Sequence, residues 1–364
     1  MQVASIGQVE RDTGFVAGRR RSVGIWLLVV AILVLAMVSL GGLTRLTGSG
    51  LSMVEWQPLT VLPPLSDQAW ATVFAKYQAS PQYRLVNQGM DLDAFKGIFW
   101  LEYVHRLWGR LIGLVFLLPL LLFLATGRVG KADLPRLAGL FLLGGAQGLL
   151  GWLMVASGLV DRGEVSPLRL AAHLLAALAI YAALAWSAFD ELSPPARRPR
   201  TSGGVRQALL GMLVLAVLTM AVGALVAGLH AGLVYNSFPL MNGALVPAEA
   251  FAMSPWWLNL LANHALVQFL HRLLAMTTWL ASLALILALI PGRTRLGLPA
   301  GLVARLTLVP VAATLQAALG IATLLNQVPL PLAAAHQLGA VLVVTAILWA
   351  LHGVSGAAPA VGRA

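Results

Sequence analysis

Apolar and polar positions alternate on a long wavelength along this chain. Apolar runs occupy roughly 23–43, 98–125, 137–158, 168–189, 207–229, 258–290, 302–325 and 332–352, with polar residues concentrated between them. A membrane-crossing helix needs about 20 apolar residues, so the pattern predicts eight transmembrane helices. The first run follows Arg19, Arg20 and Arg21, as a secretory leader would. It is longer than a leader's apolar core, and Gly41-Gly42-Leu43-Thr44 after it offers no cleavage site, so a retained helix is expected.

The runs divide into two sets of four. The segment 190–206, with Ser193-Pro194-Pro195-Ala196-Arg197-Arg198-Pro199-Arg200, reads as a linker between them. The sets resemble each other: Tyr103-Val104-His105-Arg106-Leu107 returns as Phe269-Leu270-His271-Arg272-Leu273, and Gln147-Gly148-Leu149-Leu150-Gly151 as Gln316-Ala317-Ala318-Leu319-Gly320. Gly50-Leu51 and Trp56 align with Gly232-Leu233 and Phe238. An even number of spans per half makes this a parallel repeat. The expected architecture is an all-α polytopic membrane protein of two four-helix bundles related by a pseudo-twofold axis. Its parts are a tail over 1–22, a first bundle over 23–189, the linker, a second bundle over 207–352 and a tail over 353–364. The 45–97 loop, with Trp56, Trp70 and Tyr77, is expected to form a partly ordered cap with interfacial aromatics.

Composition agrees with this reading. Apolar residues make up 59% of the 364 and charged residues 10%, against about 25% charged in a soluble domain; mean hydropathy is +0.85. The net charge of +11 is a topology signal. Fifteen Lys and Arg fall in the tails and the even-numbered loops, six in 45–97 and 157–169, and three (Arg106, Arg110, Arg272) within spans. The positive-inside rule then places both termini in the cytoplasm, and a nucleic-acid partner is not expected. Cysteine is absent, which excludes disulfides, thiolate ligands, iron–sulfur clusters and covalent haem attachment through C-x-x-C-H.

Four histidines fall inside the apolar runs: His105 and His173 in the first half, His271 and His336 in the second. Ionisable side chains at membrane depth are costly and mark function. A lone one reads first as an interhelical hydrogen bond. Four in duplicated positions read as two bis-histidine sites, because neutral imidazole suits haem iron. Residue counting puts His105, His173 and His336 roughly 8–12 Å below the external surface. His271 matches them if 259–264 is an interfacial extension. His230, His264 and His352 have no counterpart in the other half and are expected at interfaces. The glutamines Gln147 and Gln316 read as interhelical glue.

The halves differ at one chemically important position. Glu102 lies one turn before His105, on the same face, whereas Gln268 precedes His271. A carboxylate at only one site suggests chemistry there and cofactor holding at the other; a simple ion pair between Glu102 and Arg106 is the alternative. Arg106 and Arg272 are candidates for pairing with haem propionates or for structural roles.

Glu102-x-x-His105-Arg106-x-x-Gly109-Arg110, together with Gly41-Gly42-Leu43-Thr44-Arg45-Leu46-Thr47-x-Ser49-Gly50-Leu51-Ser52, resembles the haem A synthase family from about residue 23 to 352. Lacking cysteines in its first external loop, the chain is similar to the cysteine-free branch of proteobacteria and mitochondria. The resemblance implies oxidation of the C8 methyl of haem O to a formyl group, through a hydroxylated intermediate, to give the haem A of aa3-type oxidases. It implies that His105 and His173 hold substrate haem, that His271 and His336 ligate a haem b (heme b) cofactor, and that Glu102 is the catalytic carboxylate. It also implies a bacterial inner membrane location, receipt of haem O from a haem O synthase and a membrane electron acceptor. Homo-oligomerisation is left open. The competing reading is a di-haem b-type electron-transfer protein, against which the Glu102/Gln268 difference speaks.

Overall fold

The computed structural model describes residues 2–56, 62–160, 162–193, 203–289 and 298–354, and for 2–17 the backbone alone. The centre of the expected linker (194–202) and most of the final tail (355–364) lie outside the described residues. Eleven α-helices are present among them: α1 Gln2–Leu46, α2 Asp67–Gln78, α3 Pro81–Leu85, α4 Leu92–Ala125, α5 Leu134–Gly158, α6 Pro167–Leu192, α7 Gly203–Gly228, α8 Asn259–Ala262, α9 His264–Leu289, α10 Ala300–Leu325 and α11 Leu330–Val354. Eight of them, α1, α4–α7 and α9–α11, are long and apolar enough to cross a membrane.

Several boundaries differ from expectation, for local reasons. Helix α1 runs back through the region expected as a tail; no proline between residues 2 and 22 stops it. Helix α4 begins at Leu92 rather than near 98, because the Asp91 side chain caps it by accepting from Ala94 N–H at 2.8 Å. The extension before His271 is a separate short helix. It ends at Asn263, whose Oδ1 accepts from the N–H groups of Ala265 and Leu266 at 2.9 and 3.2 Å and so starts α9 anew.

The loop after α1 is more ordered than expected. Tyr77 is fully buried with Trp70, Phe95 and Phe99 in an aromatic cluster, so these rings form a small core rather than an interfacial belt. Tyr77 Oη donates to Gln82 Oε1 at 3.0 Å, and Gln82 Nε2 donates to the Gly48 carbonyl at 2.7 Å. The cap is thereby tied to the end of α1.

In the first half α1 packs on α4 and α6, and α5 on α6; in the second α7 packs on α9 and α11, and α10 on α9 and α11. The halves meet through α6 with α7, α1 with α11 and α6 with α11. Gln337 Nε2 donates to the Val38 carbonyl at 2.6 Å across that interface. A Cβ on Gly42 would lie 2.0 Å from Gln337 Oε1, so a larger residue there would displace the Gln337 amide from this position. The large apolar core, including Leu27, Val30, Leu137, Leu184, Leu209, Leu306 and Ile347, lies toward the side carrying the chain termini, here called the terminal side. The four histidines lie nearer the opposite, loop side.

His352 departs from its expected interfacial position. It is 1% exposed, packed between Trp186 and Phe189, with Nε2 3.1 Å from Asp190 Oδ1. It joins α11 to α6 at the terminal side. His230 and His264 lie at the loop side, lining with Arg162 and Glu164 a cavity of about 270 Å³. His230 Nε2 is 2.9 Å from Arg45 Nη2 and 3.1 Å from Glu164 Oε1.

Candidate functional site

Each intramembrane histidine faces a glycine on the span before its own. A Cβ built on Gly41 would lie 3.2 Å from His105 Nε2, and one on Gly151 would lie 3.0 Å from His173 Cε1. In the second half the distances are 2.9 Å from Gly223 to His271 Cε1 and 2.7 Å from Gly320 to His336 Cε1. Gly41 corresponds to Gly223 by the spacing that relates Gly50-Leu51 to Gly232-Leu233, and Gly151 to Gly320 within the repeated glutamine motif. The duplication thus carries ring and backing together. Sequence reading gave these four glycines no part in the site; their register against the histidines was the signal that could have found them.

Hydrogen bonds orient the rings. His271 Nδ1–H donates to the Thr219 carbonyl at 3.0 Å, leaving Nε2 as the nitrogen able to ligate, the arrangement that outer partners impose on metal-bound histidine. The Gln316 amide donates to the His336 carbonyl at 2.8 Å and lies 3.0 Å from Nδ1. Gln147 repeats this at His173, with 2.8 Å to the carbonyl and 3.1 Å to Nδ1. The glutamines are therefore glue, as expected, and also fix the rings. Their Oε1 atoms are buried without a partner, a deficit that native folds rarely leave beside a complete site.

The His271 and His336 rings stand 6.3 Å apart between centroids, at 84°. Two metal–nitrogen bonds of about 2.0 Å, extended to each ring centre, span about the same distance. His105 and His173 are close enough to interact electrostatically. Among the described residues no group of three or more His, Asp or Glu could hold a metal ion. Ligands that come only in pairs suit a metal carrying its own equatorial ligands, as haem iron does. The residues present fit haem.

A clamp beside each pair anchors the loop that follows α1 or α7. Arg106 donates to the carbonyls of Met53 (2.8 Å) and Glu55 (3.0 Å); Arg272 donates to those of Tyr235 (2.7 Å) and Ser237 (2.8 Å). The contacts match position for position. Glu102, 3% exposed, accepts from Ser52 Oγ at 2.7 Å and Met53 N–H at 2.9 Å, and pairs with Arg106 at 2.5 Å. Gln268 instead donates to the Tyr235 carbonyl at 3.1 Å. The expected alternative, an ion pair between Glu102 and Arg106, is thus present, and it shares the carboxylate with the loop backbone.

Outside the spans, burial of the Tyr235 ring and its hydrogen bond to Glu249 push the phenol up to about 12. The same bond holds the Glu249 carboxyl below its usual range. Tyr235 is a clamp residue, so this pair stiffens the loop that Arg272 grips.

A family model described as cytochrome oxidase assembly protein matches residues 24–348. A protein of Paramagnetospirillum magneticum named Heme A synthase is 49% identical over 341 residues, covering 92% of this chain and 94% of that protein. Relatives of the same name from Rhodospirillum centenum and Nitrosospira multiformis are 50% and 47% identical, covering 92% and 97% of this chain and 89% and 99% of their own.

Proposed function

The chain belongs to the cytochrome oxidase assembly protein family, and from that membership and the paired histidines we propose that it is an oxidoreductase making haem A from haem O. The observation that carries the reading is the duplicated histidine–glycine arrangement with its single chemical difference, Glu102 against Gln268.

His105 and His173 hold the substrate haem in the first half; His271 and His336 hold a haem b in the second. Bound haem iron would supply the one-electron redox chemistry. Converting a methyl to a formyl group removes four electrons and adds one oxygen, so protons must leave the reacting carbon. Glu102 is the group placed to take a proton or orient water there, one turn from His105 and fixed by Ser52, Met53 and Arg106. Arg106 and Arg272 hold the loops over the two sites, each giving Nη1 and Nη2 to backbone carbonyls. The positive-inside bias supports a bacterial inner-membrane protein with both termini in the cytoplasm and the histidines toward the external face. Haem O would arrive from the enzyme that makes it, and electrons would leave to a membrane acceptor.

Extracting the haems of the purified, full-length protein tests the reading. Haem A or hydroxylated haem O among them is the expected result; protohaem alone, in a protein supplied with haem O, would instead favour a di-haem electron-transfer protein.

A further inference from the structure

The halves differ in how their second and third spans are joined. In the second, Trp279 on α9 reaches across the seam to α10, its indole N–H donating to Thr314 Oγ1 at 3.0 Å. Counted from the matched histidines and glutamines, the corresponding positions in the first half are Gly113 on α4 and Gly145 on α5. A Cβ at either would meet nothing within 4 Å, and the same holds at Gly144 and Gly148. Gly144 is exposed, whereas its counterpart Ala313 is 5% exposed. Helices α4 and α5 approach each other at fewer places than α9 and α10.

The opening has definite limits. Toward the terminal side it ends where Phe116 of α4 and Phe141 of α5 stack, 6.0 Å between centroids. Toward the loop side it ends where Trp56 lies against Trp152, 5.6 Å between centroids. Its inner end reaches the histidine layer: Gly145 is two residues, about 3 Å along the axis, from Gln147, whose amide touches His173. Apart from Gln147 at its inner end, the boundary groups named here are aromatic or glycine, and Gly144 and Gly145 are exposed at its outer face.

We infer that this seam is a lateral port for the isoprenoid tail of the substrate haem. The inference rests on the reading of His105 and His173 as the substrate site. A resident cofactor gains from helices stapled around it. A substrate that enters and leaves at each turnover, with a long hydrocarbon chain attached to its ring, needs a seam that the chain can occupy. The tail lies between α4 and α5 over Gly113, Gly144 and Gly145 and continues into the bilayer, while the ring stays with the histidines.

The test transfers the staple. Full-length protein with Gly113→Trp and Gly145→Thr, in lipid nanodiscs, is titrated with haem O and with protohaem, which has the ring without the tail. Haem O affinity should fall roughly tenfold or more, since methylenes denied apolar surroundings weaken binding, while protohaem affinity stays close to that of the unaltered protein. Retention of the haem at His271 and His336 reports the fold; should the double variant lose it, Gly145→Thr alone is read in the same way. Unchanged haem O binding overturns the port, and so does equal loss of both haems, which would assign the seam to the ring. His105→Ala in the unaltered background should abolish binding of both. Binding that survives it overturns the substrate-site reading, a failure distinct from that of the port.

Discussion

Ser52 donates its hydroxyl proton to Glu102 Oε2 at 2.7 Å, a bond the second half cannot make because Val234 and Gln268 stand at the matching positions. The arginine-to-carbonyl contacts repeat in both halves, and in one half only the clamp is rebuilt around a carboxylate that also takes Met53 N–H and Arg106. Glu102→Gln makes the halves alike and keeps the side chain's size. The variant should fold, retain haem at His271 and His336, and accumulate haem O or a partly oxidised haem, with haem A yield reduced about 100-fold or more. Near-normal haem A from a well-folded variant would leave Glu102 a loop anchor only.

His271→Ala and His336→Ala should each remove the low-spin spectrum of the resident haem while leaving haem O binding at the first half intact. Optical spectra of the purified variants check this. A full b-type spectrum in either would move the cofactor elsewhere.

The glycines opposite the rings make a sharper case. Gly320→Ala would put a methyl group 2.7 Å from His336 Cε1, and the ring must turn or withdraw. Haem retention should drop about 10–100-fold, the usual range when a partner that aims a ligand is lost. Gly301→Ala, on the same helix with nothing within 4 Å, should retain haem normally. Equal behaviour of the two would show that the backing is incidental.

Tyr235 gives a pH dependence outside the spans. With the folded phenol at about 12 against an ordinary 10.0, the folded state binds its proton more tightly. Its contribution to stability is therefore complete below pH 10 and lost as pH rises toward 12. Tyrosinate absorbance should keep rising late in the titration, and Tyr235→Phe should remove one tyrosine's share of that late rise, Tyr77, also pushed up by burial, contributing to what remains.

A reporter fused after Ala364 should behave as cytoplasmic, and one inserted at residue 60 as external. The opposite result would invert the depth of all four histidines.

Span count, the duplication and the four intramembrane histidines were legible in the sequence because each is written in residue type at fixed spacing. Length and hydropathy decide a membrane helix, and a repeated His-Arg stands out against leucine and alanine. What escaped was set by geometry between distant segments. Nothing near His352 in the chain shows that Asp190, 162 positions earlier, waits for its ring. Gly223 looks like any packing glycine until His271 is placed against it. The aromatic cap was misread because Trp70 and Tyr77 are as suited to an interface as to a core; the choice is made by Phe95 and Phe99 on an α4 that starts earlier than hydropathy alone suggests.

The separation of the apolar core, on the terminal side, from the histidine layer, on the loop side, has a consequence for biogenesis. Residues such as Leu27, Leu184, Leu209 and Ile347 bring both halves together without involving any of the four intramembrane histidines. Insertion into the membrane and assembly of the halves can therefore finish before any pigment arrives, and haem loading becomes a separate, later event. A cell starved of haem should accumulate a pigment-free but assembled protein that becomes coloured on resupply without new synthesis.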